Sequence, residues 1–170
     1  FWESSGDAEV LKRKGSLRHE LIFTFPKPVG ARRAKLLANV WTSQWGAEIP
    51  RQFLTTLGGE RAGFFREVNA LGPAWQKLMS WFVSEELYLL RIQVKTSQGW
   101  SPRGILQGGG PFMANDKAYI LDIADIPGDT LELKLSPPVT FWRINRLSID
   151  YSPDSPLKIQ ELAPRQAVNQ

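Results

Sequence analysis

Residues 103–151, RGILQGGGPFMANDKAYILDIADIPGDTLELKLSPPVTFWRINRLSIDY, restrict the fold more than any other part of this chain. Four short runs alternate apolar with polar residues, and Gly, Pro, Asn and Asp punctuate them. Strict alternation puts one face of an extended segment into a core and the other into water. The punctuating residues supply the backbone angles of tight turns. A segment written this way folds as an antiparallel β-sandwich, and it holds no nucleophile, metal cluster or phosphate loop.

The pattern extends upstream. Arg18 to Pro26 reads as a strand with Leu21, Phe23 and Phe25 on one face. Ala34 to Thr42 sets Leu36, Ala38 and Val40 against Leu37, Asn39 and Trp41. Apolar residues on both of its faces place it centrally in a sheet. Leu87 to Thr96 directs Tyr88, Leu90, Ile92 and Val94 inward. The tetrapeptide Ser97–Trp100 reads as a turn, and Gly104 to Gln107 as a short strand. Strands follow at 118–123, 130–135 and 141–151, with a last edge strand over 157–162. Turn signals every 8–12 residues or so give about eight strands, the spacing of a sandwich or barrel.

One block breaks the period. Ile49, Phe53 and Leu57 recur every fourth residue. Phe64, Phe65 and Val68 continue a helical stripe, and Pro73 opens another helix with Trp75, Leu78, Met79 and Phe82 on its apolar face. Residues 49–83 are therefore a helical excursion between strands, expected to cap one end of the sandwich or cover a sheet face. The block occurs once and does not alternate with strands, which excludes a doubly wound α/β fold. The resulting division is an extended arm over 1–16, one sandwich domain over 17–162 and a tail over 163–170. A chain that starts at Phe1 reads as processed or as part of something longer.

With 42% apolar and 22% charged residues, the chain can bury a core without staples. It contains no Cys, which removes disulfides and thiolate chemistry. Its net charge of +4 is spread along the chain and no nucleic-acid-binding motif accompanies it, so nucleic acid is not an expected partner. No apolar run approaches the ~20 residues of a transmembrane helix; association with a membrane-bound assembly stays open. Seven Trp is high for the length, and Trp favours interfaces and sugar platforms.

The order of elements, from the strand ending FPKP to the closing LDIADIPGDTLELKLSPPVTFWRINRLSIDYS, resembles the galactose-binding-like jelly-roll modules of secreted and cell-surface bacterial proteins. That resemblance covers residues 18–151. It implies a jelly roll, an extracytoplasmic location (periplasmic, cell-surface or secreted) and a calcium with a structural role in the turns at Asp122, Asp125 and Asp129. No other cofactor is implied. The 49–83 block is longer than such modules carry.

Candidate recognition residues are aromatics near strand ends. Trp100, in SQGWSPRG, reads as a loop Trp able to stack on a sugar or anchor an interface. Arg103 follows it as a hydrogen-bond donor, and Trp41, Trp45 and Phe112 fall in comparable places. Trp75 and Phe82 read as packing residues of a helix, with Trp81 beside them. His19 lacks a neighbouring nucleophile and orienting acid. Gly108-Gly109-Gly110-Pro111 lacks the Lys and Ser/Thr of a phosphate loop, and suits a flexible loop or a close backbone approach. Glu85-Glu86 and Glu60 with Glu67 are the carboxylates a glycosidase reading would use, and no spacing places them across a cleft; solvated helix ends account for them.

The expectation is a non-catalytic, extracytoplasmic interaction module or accessory subunit. Protein subunits of a larger complex are its partners, docked through loop aromatics and ordered termini. A carbohydrate-binding module is the alternative, and a jelly-roll hydrolase or lyase the second.

Overall fold

The computed structural model describes residues 2–3, 18–85, 88–156 and 158–161, with side chains for all of these except 2, 3 and 82–85. Beyond Trp2–Glu3, the N-terminal arm lies outside the described residues, as does the 163–170 tail. The chain is mainly β. In order it forms β1 (Trp2–Glu3), β2 (Leu21–Pro26), β3 (Arg33–Thr42), α1 (Trp45–Thr56), a 3-10 turn (Gly58–Glu60), α2 (Arg61–Asn69), α3 (Pro73–Glu85), β4 (Leu89–Thr96), β5 (Gly99–Gln107), β6 (Asn115–Asp122), β7 (Thr130–Leu135) and β8 (Trp142–Asp150).

One sheet has the order β1-β8-β3-β6 and the other β2-β7-β4-β5. Every pairing is antiparallel. Seven strands carry the two sheets, against the eight or so expected; the remaining segment, β1, spans only 2 residues. Strand β3 lies between β8 and β6, the central position its two-sided apolar pattern indicates. The inner faces of both sheets meet in one core. Ala34, Leu36, Ala38 and Val40 of β3 pack with Leu90, Ile92 and Val94 of β4 and with Leu131, Leu133 and Leu135 of β7. Phe141 and Trp142 are the largest fully buried side chains.

Several expectations need correction. The 157–162 segment forms no strand over residues 158–161; Leu157 and Leu162 lie outside the described residues. Strand β5 starts at Gly99, so Trp100 sits in a strand and not in a turn. Only Ser97 and Gln98 make the turn, because Gly99 adopts φ +114° and returns the chain at once to its partner Thr96.

Two bulges shape the sheets. Against Ile92 and Gln93 of β4, strand β5 presents Gly104 and Pro102, which leaves Arg103 as the extra residue. Pro102 is tolerated there because β5 is an edge strand. Against Asn39 and Val40, β8 presents Arg146 and Ile144, leaving Asn145 extra, and its amide donates to Asn39 Oδ1 at 3.1 Å.

The helices meet the sandwich at one end, where Ile49 of α1 packs against the core. They pack chiefly on one another. The two sheets bury their inner faces chiefly against each other, and apolar residues on their outer faces, Leu37 and Ile120 among them, stay exposed.

Candidate functional site

The helical excursion is fastened at its root by polar contacts. Thr42 and Ser43, where β3 ends, are buried. Thr42 Oγ1 donates to Gly109 O at 2.8 Å. Ser43 Oγ donates to Thr140 O at 2.6 Å, and its backbone N–H to Phe141 O at 2.8 Å. Buried hydroxyls without such partners would cost about 1–3 kcal/mol each. Pro50 sits inside α1 and has no N–H to give Gly46 O four residues back. The Tyr88 hydroxyl donates to that carbonyl instead. The Tyr88 ring meets Phe141 edge-on at 5.1 Å, and burial raises the phenol's pKa. Gly46 is required at this point: a Cβ there would lie 2.8 Å from Thr42 Oγ1. On the solvent side of α1, Arg51 and then Gln52 hydrogen-bond Glu48 and hold its carboxyl at about 2.

Beyond the root the excursion is apolar and poorly covered. Gly46 is the only buried residue of α1, and α2 has none. The stripes of Ile49, Phe53 and Leu57 on α1, Phe64 and Phe65 on α2, and Leu78 and Trp81 on α3 enclose a groove of about 820 Å³. Phe53 and Phe64 meet edge-on at 5.3 Å, yet Phe53 stays 40% exposed, Phe65 45% and Trp81 41%. Helix α2 ends in a Schellman motif, with Leu71 N–H to Val68 O at 3.0 Å and Gly72 N–H to Glu67 O at 2.8 Å. The left-handed position normally given to glycine is held by Leu71 at φ 54°, which exposes a leucine at a local backbone cost of about 1 kcal/mol. Glu67 and Lys77 are the charged residues of the groove lining.

The aromatics singled out in the sequence divide into two groups. Trp45 opens α1 and is half exposed. Phe112, 87% exposed beside an exposed Met113, tips the β5–β6 loop. That loop leaves the same end of the sandwich as the excursion, since β3 and β5 end there and β6 begins there. Its glycines serve close approach: a Cβ on Gly108 would meet Thr42 Cγ2 at 2.8 Å, and one on Gly109 the Asn115 amide at 2.1 Å. Trp45, Phe112 and the groove therefore share one pole.

Trp41 and Trp100 lie elsewhere, on outer sheet faces. Trp41 is opposite Arg143 on the first sheet. Trp100 lies on the second sheet under two ammonium groups, Lys95 Nζ at 5.2 Å and Lys134 Nζ at 4.9 Å from its ring centre. Arg103, re-aimed by its bulge, pairs with Asp125 and donates to Ser101 Oγ at 3.0 Å. It ties β5 to the β6–β7 turn.

The three Asp residues considered for calcium hold different partners. Asp122 Oδ1 accepts the Ala124 N–H at 3.0 Å, Asp125 takes Arg103, and Asp129 Oδ1 accepts Thr130 Oγ1 at 3.1 Å. Among the described residues, no three His, Cys, Asp or Glu side chains gather into a metal-binding group. No described helix is long and apolar enough to cross a membrane. Glu60 and Glu67 are both exposed, Glu86 lies outside the described residues, and His19 gives its backbone N–H to Pro137 O at 2.9 Å.

The groove residues Phe53 and Phe65 were not among the sequence candidates, and Trp81 was read as lying beside a packing stripe. Helical spacing reads as packing, and the spacing does not reveal how much of the stripe stays exposed. The side chain of Phe82 lies outside the described residues. Comparison with protein-family models, curated proteins and solved structures returned no match to this chain.

Proposed function

We propose that this chain is a non-catalytic interaction module, an accessory subunit built on a β-sandwich of the galactose-binding-like jelly-roll type and working outside the cytoplasm. The helical excursion is its docking element, with Trp45 and Phe112 extending the contact at the same pole. The observation that carries this reading is the groove itself. Three short helices expose aromatic residues that a self-contained domain would bury, while their root is held by buried hydrogen bonds. Burying a half-exposed Phe or Trp on a partner recovers roughly 1 kcal/mol or more each. A fixed root lowers the ordering cost of binding. The two antiparallel sheets around one core support the jelly-roll assignment.

The test is site-specific photocrosslinking in the native host. A photoreactive phenylalanine analogue replaces Phe65 or Trp81, with Leu37 and Ile120 on the outer face of the first sheet as controls. One discrete adduct from both groove positions and none from the controls supports docking. Absence of any groove adduct, or the same adducts from all four positions, refutes it. Fractionation of the same cells tests the location.

A further inference from the structure

The opposite pole carries a different chemistry. Strand β2 ends at Pro26 beside Thr130, where β7 begins, and β3 begins at Arg33 beside Asp122, where β6 ends. The loops they leave enclose a concavity of about 840 Å³, lined among others by Lys27, Gly30, Arg32, Ile126, Gly128 and Asp129. We propose that this concavity is a binding site for a small oxyanion, a phosphate or a carboxylate, held by Lys27 and Arg32.

The argument starts from Lys27. Lysine is rarely buried unless it is paired with an opposite charge. Lys27 is only 7% exposed. Its Nζ donates to the neutral carbonyl of Gly128 at 2.9 Å, and its backbone N–H donates to Asp129 O at 2.6 Å. An ammonium has three N–H donors, so two remain beyond the Gly128 contact. Neither Lys27 nor Arg32 belongs to any ion pair among the described residues. Of the nearby carboxylates, Asp125 is paired with Arg103, while Asp122 and Asp129 accept neutral donors, the Ala124 N–H and the Thr130 hydroxyl, and neither forms an ion pair with Lys27. A largely buried lysine thus borders the concavity without an ion-pair partner among the described residues, beside a second cation, Arg32, that also has none.

The loop backbone leaves room for a guest. Gly30 and Gly128 both adopt φ +77°, and no atom lies within 4 Å of where a Cβ would stand on either. A point charge from Lys27 and the planar fork of Arg32 suit the oxygens of phosphate or carboxylate.

The test is an amide NMR titration of the whole chain with inorganic phosphate and, separately, with acetate, both at constant ionic strength. Saturable shifts confined to residues 27–32 and 124–129 with one probe support the site, and the probe that saturates identifies the head group. Arg32 is exposed, so Arg32→Gln leaves the fold intact and is expected to weaken binding about tenfold. Lys27→Met is expected to abolish it. Shifts that grow linearly with both probes, shifts spread over lysines elsewhere, or unchanged affinity in Arg32→Gln would each overturn the proposal.

Discussion

Tyr88→Phe isolates one hydrogen bond at the root of the helical excursion. The phenylalanine ring keeps the edge-on contact with Phe141 and removes only the hydroxyl that donates to Gly46 O. Gly46 is buried, and Pro50 offers its carbonyl no helical N–H. The acceptor is therefore left unsatisfied, at a cost of about 2 kcal/mol. For a chain of 170 residues this corresponds to a fall in Tm of about 4–8 °C. The explanation requires that Pro50 cause the dependence. Pro50→Ala adds a backbone N–H four residues beyond Gly46, so in that background Tyr88→Phe should cost less than about 1 kcal/mol. Urea unfolding of the four proteins, followed by circular dichroism and Trp fluorescence, measures the coupling, expected at about 1 kcal/mol. Equal costs of Tyr88→Phe in both backgrounds, within about 0.3 kcal/mol, would refute the argument.

Two further outcomes follow from the same geometry. A Cβ on Gly104 would stand 2.0 Å from Tyr119 Cζ, so Gly104→Ala must displace the ring and break its 3.0 Å hydrogen bond to Arg103 O. The expected loss is about 3 kcal/mol in urea unfolding, falling below about 1 kcal/mol when Tyr119→Ala has already emptied the space. Because Asp122, Asp125 and Asp129 each hold another partner, millimolar calcium should leave Tm unchanged; a rise that a chelator reverses would show that those carboxylates regroup around the ion.

Much of the sandwich was legible in the sequence because strand faces are encoded locally. Strand β7 was read to the residue, Thr130–Leu135, with Leu131, Leu133 and Leu135 buried as alternation requires. The half-buried faces of Leu21, Phe23 and Phe25, and the central place of β3, were equally readable. Trp100 was misplaced because a two-residue turn depends on the conformation of Gly99, which composition does not reveal. The bulge at Arg103 was not legible, because a bulge shows itself only when two strands are paired. Opposite Ile92 and Gln93, Arg103 becomes the extra residue and turns to Asp125.

The sequence by itself determined where the chain is extended, where it is helical and which side of each element is apolar. Those properties depend on residues two to four positions apart. Only the tertiary structure decided what each apolar side meets. The inner faces of the two sheets pack chiefly on each other, and Phe53, Phe65 and Trp81 keep their helical stripe while staying 40%, 45% and 41% exposed. Likewise, only the loops of four separate strands, brought to one pole, leave Lys27 buried beside a neutral carbonyl with no carboxylate paired to it among the described residues. Contacts between residues about a hundred positions apart depend on the whole packing arrangement, which no local pattern encodes.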